Sequence, residues 1–392
     1  MNFIFSEQQS QLQEIARRFC AEYSDPARVR AAMASATGFD ASVWARLVGE
    51  LGWGGIAVPE ELDGLGLGQL EIAIVQQEMG RRLLASPFLA SIGLAIPALL
   101  AGASESQRAQ YIPALATGEQ LAALACTGER GRPGVDGIEA ILAPGANGDF
   151  QLSGNASFVV FGHAADIFIV AARRAGSVGI DGISLLVLPR DTAGITIEKL
   201  MMLDLTRPCA RLSFDTVEVP AAALLGEAGQ AGPALQRTLA IGAIALAAEQ
   251  VGGAERCLEF TVEYAKQREQ FGRPIGSFQA VKHKLADMMV LVEAAKSAVY
   301  YAACAADEDD AQLQEAAAVA KSFCADAFNR CAGAAIQLHG GIGITWEHDA
   351  HLYFKRARAS SNLLGDIRHQ REQIARGLFD ADRPLLRQLG GQ

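Results

Sequence analysis

Arg268-Glu269-Gln270-Phe271-Gly272-Arg273-Pro274-Ile275-Gly276-Ser277-Phe278-Gln279 joins two helical stretches through a short corner. Pro274 and Gly276 interrupt helical periodicity there. An arginine, a glutamine, an aromatic ring and a glycine at such a junction can hold a phosphate and a flat ring. Single Arg-Phe-Gly corners are common in helical proteins, so on spacing alone an ordinary helix-to-helix turn is the stronger reading. Downstream, Phe278, Val281, Leu285, Met288, Met289 and Val292 recur at helical spacing and predict one face of a long helix. A second long helix is predicted from Gln312 to about Leu338, stopping at Gly340-Gly341, where glycine permits a left-handed turn. The alanine-rich faces of both suit close helix packing in a bundle.

Upstream the character changes twice. Short β-rich runs, Phe150–Leu152, Ser157–Phe161, Ile167–Ala171, Ile183–Leu188, Ile195–Leu200 and Leu212–Val219, are separated by Gly, Asp and Pro. Before them the pattern is helical, with Gln8, Leu12, Ile15 and Phe19 at three-to-four spacing. The chain of 392 residues therefore divides into a helical domain over 1–119, a β-domain over 120–228 and a helical bundle over 229–392, an α+β multi-domain protein.

The formal charge is −10 with scattered basic residues, which offers no positive stripe for nucleic acid. Met1-Asn2-Phe3-Ile4-Phe5 lacks the basic start and apolar core of a signal peptide, and no uninterrupted apolar run reads as a membrane span. Seven cysteines, at 20, 126, 209, 257, 304, 324 and 331, show no metal spacing and read as reduced thiols of a cytoplasmic protein.

A second segment gives the first its meaning. Gln337-Leu338-His339-Gly340-Gly341-Ile342-Gly343-Ile344-Thr345 is a helix end opening into a glycine turn that a ligand can approach closely. With the corner at 268–279, Ala57-Val58-Pro59-Glu60, Leu203-Asp204-Leu205-Thr206-Arg207 and Phe214-Asp215-Thr216-Val217-Glu218-Val219-Pro220, the chain resembles the acyl-CoA dehydrogenase family over nearly its whole length. The resemblance implies a helical domain, a β-domain and a C-terminal four-helix bundle, assembled as a tetramer with FAD between subunits. It also implies oxidation of an acyl-CoA thioester to the α,β-enoyl-CoA, with electron-transferring flavoprotein as acceptor.

That reaction removes a weakly acidic α-proton as hydride leaves the β-carbon for the flavin, and so needs a carboxylate base and a polarised carbonyl. The family's base is usually the Glu of a Tyr-Glu-Gly-Thr motif. Gln370-Arg371 and Ala375-Arg376 set the register here and place Leu363-Leu364-Gly365-Asp366 opposite it, with Leu364 at the Glu position. Relatives that carry the base on the helix before the corner would have it where this chain has Gly242, followed by Ala243. Asp366 is left as the nearest candidate base, against a turn-capping role.

The flavin contacts implied by the resemblance divide in two. A subunit holds its own isoalloxazine through a Thr-Glu-Pro…Gly-Ser-Asp loop and a Trp-Ile-Thr/Ser strand, here Thr127-Gly128-Glu129-Arg130-Gly131 and Phe158-Val159-Val160. Thr127 and Phe158 keep those places, but Val160 replaces the hydroxyl expected near flavin N5. The contacts lent to a neighbour's FAD are all present: Arg268, Gln270 and Phe271 toward the pyrophosphate, and Gln337, Gly340 and Gly341 toward the adenosine. This split resembles one subunit of the heteromeric α2β2 members, some of which act on steroid-CoA side chains, with a homologous subunit supplying the base. A self-sufficient homotetramer and a flavin-free structural or regulatory subunit binding acyl-CoA are the alternatives. His348 and His351 stand three apart rather than four and do not suggest a metal. His339 lies near the dinucleotide or packs, and Asp307-Glu308-Asp309-Asp310 reads as a solvated loop.

Overall fold

The computed structural model describes residues 5–308 and 310–379; the opening Met1-Asn2-Phe3-Ile4, Asp309 of the acidic run and the end of the chain lie outside them. The first helical domain contains α1 (Glu7–Tyr23), α2 (Pro26–Ala34), α3 (Ala41–Ala45), α4 (Gln69–Arg81), α5 (Phe88–Ala90), α6 (Ile96–Gly102) and α7 (Glu105–Ala116). Ser6 starts α1 with a capping box, in which its hydroxyl accepts from Gln9 N–H while the Gln9 side chain accepts from Ser6 N–H. The buried face of α1 is Ala16, Phe19 and Cys20, whereas Ile15 of the predicted stripe is exposed, so the face is turned by one position.

The β-domain is one twisted sheet in the order β6-β7-β3-β2-β4-β5-β8, with β1 parallel to β4. The strands are β1 (Ala122–Ala125), β2 (Ile141–Pro144), β3 (Phe150–Val160), β4 (Ile167–Arg173), β5 (Ile183–Pro189), β6 (Ile195–Lys199), β7 (Cys209–Val219) and β8 (Leu224–Leu225). The two runs at 150–152 and 157–161 belong to one strand, β3, bent by irregularities at Leu152/Gly154 and Ala156/Val159. Phe158 sits in the second, with φ 57. One face of the sheet closes over Leu152, Phe168, Leu186 and Leu212.

The third domain consists of α8 (Gly232–Gln267), α9 (Gln279–Glu308), α10 (Asp310–His339), α11 (Ala350–Asn362) and α12 (Ile367–Phe379). Between α8 and α9 a two-stranded hairpin, β9 (Glu269–Gln270) and β10 (Arg273–Pro274), forms the corner. Glycine sets how closely the first and third domains meet: a Cβ on Gly80 of α4 would overlap the Glu249 carbonyl of α8, and one on Gly252 would overlap the Gln77 carbonyl. On α9, Met288 and Val292 are buried but Met289 is exposed, so the predicted face is narrower than its sequence pattern. By length and mean composition α9 is apolar enough to cross a membrane, although Lys282, Lys284, Asp287, Glu293 and Lys296 interrupt it. Its alanines, among them Ala295, Ala302 and Ala303, instead pack into the bundle core with α8 and α10. The acidic run is also not simply a solvated loop. Asp307 is exposed, but its carboxylate is engaged: it accepts from Gln69 N–H at 2.8 Å and Leu70 N–H at 3.3 Å, capping α4.

Candidate active site

Between the β-sheet and the C-terminal helices lies a cavity of about 750 Å³, bordered by Thr127 and Phe158 on one side and by Leu239, Ala243 and Leu364 on the other. Phe158 reaches it from the bulge in β3, whereas Val160 pairs with Cys209 of β7 and is buried in the core without bordering the cavity. Thr127 is held by its carbonyl, which accepts from Ser157 N–H at 2.7 Å. Cys126 and Cys209 also border the space, and burial pushes their thiols up to about 11 and about 12, so both stay protonated.

The two positions at which a base was sought meet at one point. A Cβ on Gly242 would lie 3.3 Å from Leu364 Cδ1 and would overlap Leu94. Leu364 has φ 58 and Gly365 φ 98, so the segment turns sharply after α11 and drives a leucine side chain toward the core. Neither position offers a carboxylate. The Asp366 carboxylate accepts from His369 N–H at 2.7 Å, making it the N-cap of α12. It borders a separate cleft with Arg368, Arg371 and Glu372 rather than the large cavity. This geometry favours the capping role over that of a base.

Two features of the site had no counterpart in the sequence reading. Lys321 of α10 is fully buried, and its ammonium donates to the carbonyls of Ser360 at 3.2 Å, Ser361 at 3.4 Å and Gly365 at 3.4 Å. It therefore pins the end of α11 to the Leu364 turn, while Gln370 Nε2 donates to the Leu364 carbonyl at 2.8 Å. With no carboxylate bridging it among the described residues, burial draws the Lys321 ammonium down to about 8. Its only sequence signal was a lone lysine on an alanine-rich helix. The second feature is a buried charge cluster. Arg356 donates to Asp204 at 2.6 Å, to Glu249 at 2.7 Å and to the Thr206 hydroxyl, and Arg207 pairs with the other Glu249 oxygen. The motif Leu203–Arg207 was noted for its resemblance; its partners Glu249 and Arg356 come from α8 and α11.

The remaining site residues gather elsewhere. Arg268, Gln270, Phe271, Gln337, Gly340 and Gly341 are all exposed at the far ends of α8 and α10, and none borders the cavity. Tyr264 brings the two ends together, stacked on His339 at 4.3 Å between ring centres, with its hydroxyl directed at the His339 carbonyl. His339 Nδ1 lies 2.8 Å from the Ala335 carbonyl, so this ring is a packing element. The hairpin tip places Phe271 at φ 55 and Gly272 at φ 71, holding the ring 91% exposed. Beyond Gly272, Gly340 and Gly341 the space is open, as close approach of a ligand requires. His351 stacks on Trp346, and no group of three or more His, Cys, Asp or Glu is placed to hold a metal among the described residues.

The family model for the acyl-CoA dehydrogenase N-terminal domain matches residues 6–119, and that for the C-terminal domain matches 232–379. The acyl-CoA dehydrogenase IpdE2 of Mycobacterium tuberculosis is 40% identical over 91% of this chain and 93% of its own. The chain belongs to the acyl-CoA dehydrogenase family. Members are FAD-dependent oxidoreductases acting on CH–CH groups. Among solved structures, the ChsE4-ChsE5 complex from Mycobacterium tuberculosis matches with TM-score 0.87 and 29% identity, over 98% of this chain and 100% of that one. A steroid acyl-CoA dehydrogenase variant matches with TM-score 0.86 and 28% identity, over 95% of this chain and 98% of that one. The three-domain fold of the family is the fold of this chain.

For FAD the two surfaces differ in fit. The exposed corner offers a guanidinium, a ring held outward on a left-handed turn, an amide and unobstructed glycine turns, the donor set and clearance that a dinucleotide demands. The cavity offers Thr127 and Phe158 at its border, while position 160 is a buried valine that supplies it no hydroxyl.

Proposed function

We propose that this chain is one subunit of a heteromeric FAD-dependent acyl-CoA dehydrogenase, completing the FAD site of a homologous partner that carries the base. The observation that carries this reading is the division of labour within one chain. Both base positions are apolar and packed against each other, while every residue directed at a neighbour's cofactor stands exposed in an open, preformed arrangement. FAD, when bound, would supply the acceptor for the hydride that leaves the β-carbon. Arg268 and Gln270 would hold the pyrophosphate, Phe271 would cover it from water, and Gln337 with the turn at Gly340-Gly341 would receive the adenosine. The partner's carboxylate takes the α-proton.

The two-protein complex among the similar structures supports a heteromer, and the steroid acyl-CoA dehydrogenase supports a bulky acyl group on the thioester. Electron-transferring flavoprotein as acceptor rests on family resemblance. The test is native mass and flavin stoichiometry of the chain alone and co-expressed with a homologous dehydrogenase. A flavin-poor product alone that becomes a tetramer with two FAD on co-expression is the expected result, and a yellow, active homotetramer with four FAD overturns it. In the co-expressed tetramer Arg268→Ala lowers flavin content without altering this chain's own unfolding midpoint, because Arg268 is exposed.

A further inference from the structure

The residues directed at a neighbour's cofactor sit at two separate places, the corner after α8 and the glycine turn after α10, so something must fix the distance between them. Tyr264, in the last turn of α8, touches both. Its carbonyl accepts from Arg268 N–H at 2.8 Å, and its ring stacks on His339, the residue before Gly340, at 4.3 Å between ring centres and 23° between planes. His339 in turn lies 4.6 Å from the ring of His348, on the far side of the turn. Phe260, one helical turn earlier on α8, packs edge-on against both imidazoles at 5.4 and 6.1 Å. The segment from Gly340 to Glu347 is therefore clasped at its two ends by packed rings anchored on α8.

Backbone partners fix which nitrogen of each imidazole carries the proton. The Ala335 carbonyl can only accept, so His339 Nδ1, 2.8 Å away, is its N–H; the Ala350 N–H can only donate, so His348 Nδ1, at 3.1 Å, keeps its lone pair. A further proton on His348 must go to Nδ1 and displace the N–H that opens α11. One on His339 must go to Nε2 and puts a charge into a residue only 4% exposed. The charged groups around the pair do little to welcome it. Asp349, beside His348, is paired with Arg30 of α2 at 2.8 Å, and on α8 Arg256 lies over the Phe260 ring and adds positive charge. Glu347 is exposed, His351 is stacked on Trp346, and Tyr264 and Tyr353 supply phenol rings. Burial draws both imidazoles below the ordinary 6.5; for His339 the Ala335 bond opposes this and His348 adds to it, and for His348 Asp349 opposes it.

We infer that the Tyr264–His339–His348 stack is the positioning element that sets the Arg268 corner against the Gly340-Gly341 turn, and that it holds only while both imidazoles are neutral, so that acid loosens this chain's grip on a neighbour's FAD. The inference rests on the reading that these exposed ends serve a neighbour's cofactor. Its sign follows from proton linkage. Below pH 6.5 the loosened stack binds more protons than the intact one, so the arrangement is at full strength above that value and is lost as pH falls through the lower values of the stacked rings. FAD retained by the co-expressed complex after ultrafiltration is measured between about pH 7.5 and about pH 5. Wild type is expected to lose flavin as pH falls, and His348→Asn, which keeps an acceptor for Ala350 N–H but takes no proton, to lose roughly tenfold less. At the neutral end Tyr264→Ala should weaken retention roughly tenfold, and Tyr264→Phe, which keeps the ring, should restore it. An acid curve for His348→Asn that coincides with wild type overturns the inference, as does a Tyr264→Ala complex that holds FAD like wild type or a Tyr264→Phe complex that holds it no better than Tyr264→Ala. Arg268→Ala separates the two readings: unchanged flavin content there removes the lent site itself, whereas lowered content with Tyr264→Ala at the wild-type level removes the stack alone. If Tyr264→Ala does not fold, the acid curve of His348→Asn decides.

Discussion

Leu364 stands in the left-handed region at φ 58, where a residue with a Cβ is disfavoured by about 1–2 kcal/mol. What offsets this is local: Gln370 holds its carbonyl, Lys321 holds the next one, and its side chain lies against the core. A carboxylate there would exchange apolar contact for an unpaired charge beside Gly242. Leu364→Glu should therefore lower stability by about 1–3 kcal/mol in urea unfolding, without giving the lone chain any dehydrogenase turnover. Lys321 makes a prediction with a definite sign. Its ordinary value is 10.5 and the folded value is about 8, so between these the unfolded chain binds more protons and stability rises with pH. The penalty of burying the ammonium is full below pH 8 and is relieved as pH climbs toward 10.5. In Lys321→Met this part of the rise should vanish, measured as the wild-type-minus-variant difference in unfolding free energy across that range.

Among the elements, α4 shows how a distant side chain can decide a helix start. Gly68 precedes it and has no side chain to cap with, so Asp307 from the end of α9 accepts from the first two N–H groups. Asp307→Ala should cost about 1 kcal/mol, read as a lower thermal midpoint. Nothing local in the sequence points to this, because the cap and the helix are 238 residues apart. The same limit explains the missed strands. Ala122–Ala125 and Ile141–Pro144 lack β-branched alternation; the first is a strand because β4 pairs with it and both its faces are buried. By contrast, the long bundle helices were legible from periodicity, and the absence of a carboxylate at Leu364 was legible once Gln370-Arg371 fixed the register. That Leu364 and Gly242 touch could be learned only from packing.

Across the whole molecule, the sheet and the bundle are joined by the buried cluster at Arg356, which ties Asp204 and Thr206 beneath the sheet to Glu249 of α8. Replacing Arg356 by Met leaves two buried carboxylates short of their donor. The expected cost is about 3–5 kcal/mol, larger than for any exposed ion pair here, and guanidinium unfolding of the purified chain measures it. A smaller loss, comparable to that of the exposed Arg376–Glu372 pair, would mean that the cluster is solvated in practice.

The contact between Leu94, Gly242 and Leu364 also bears on how such a chain can change over generations. On α8 a side chain at Gly242 would collide with Leu94 and crowd Leu364, so a glutamate there needs Leu94 to shrink first, and that step alone opens a void with nothing gained. Position 364 borders the open cavity and carries no such overlap. The arrangement works as a ratchet on one helix only: a lineage that has packed Leu94 against Gly242 regains a carboxylate on α8 through two changes, never one.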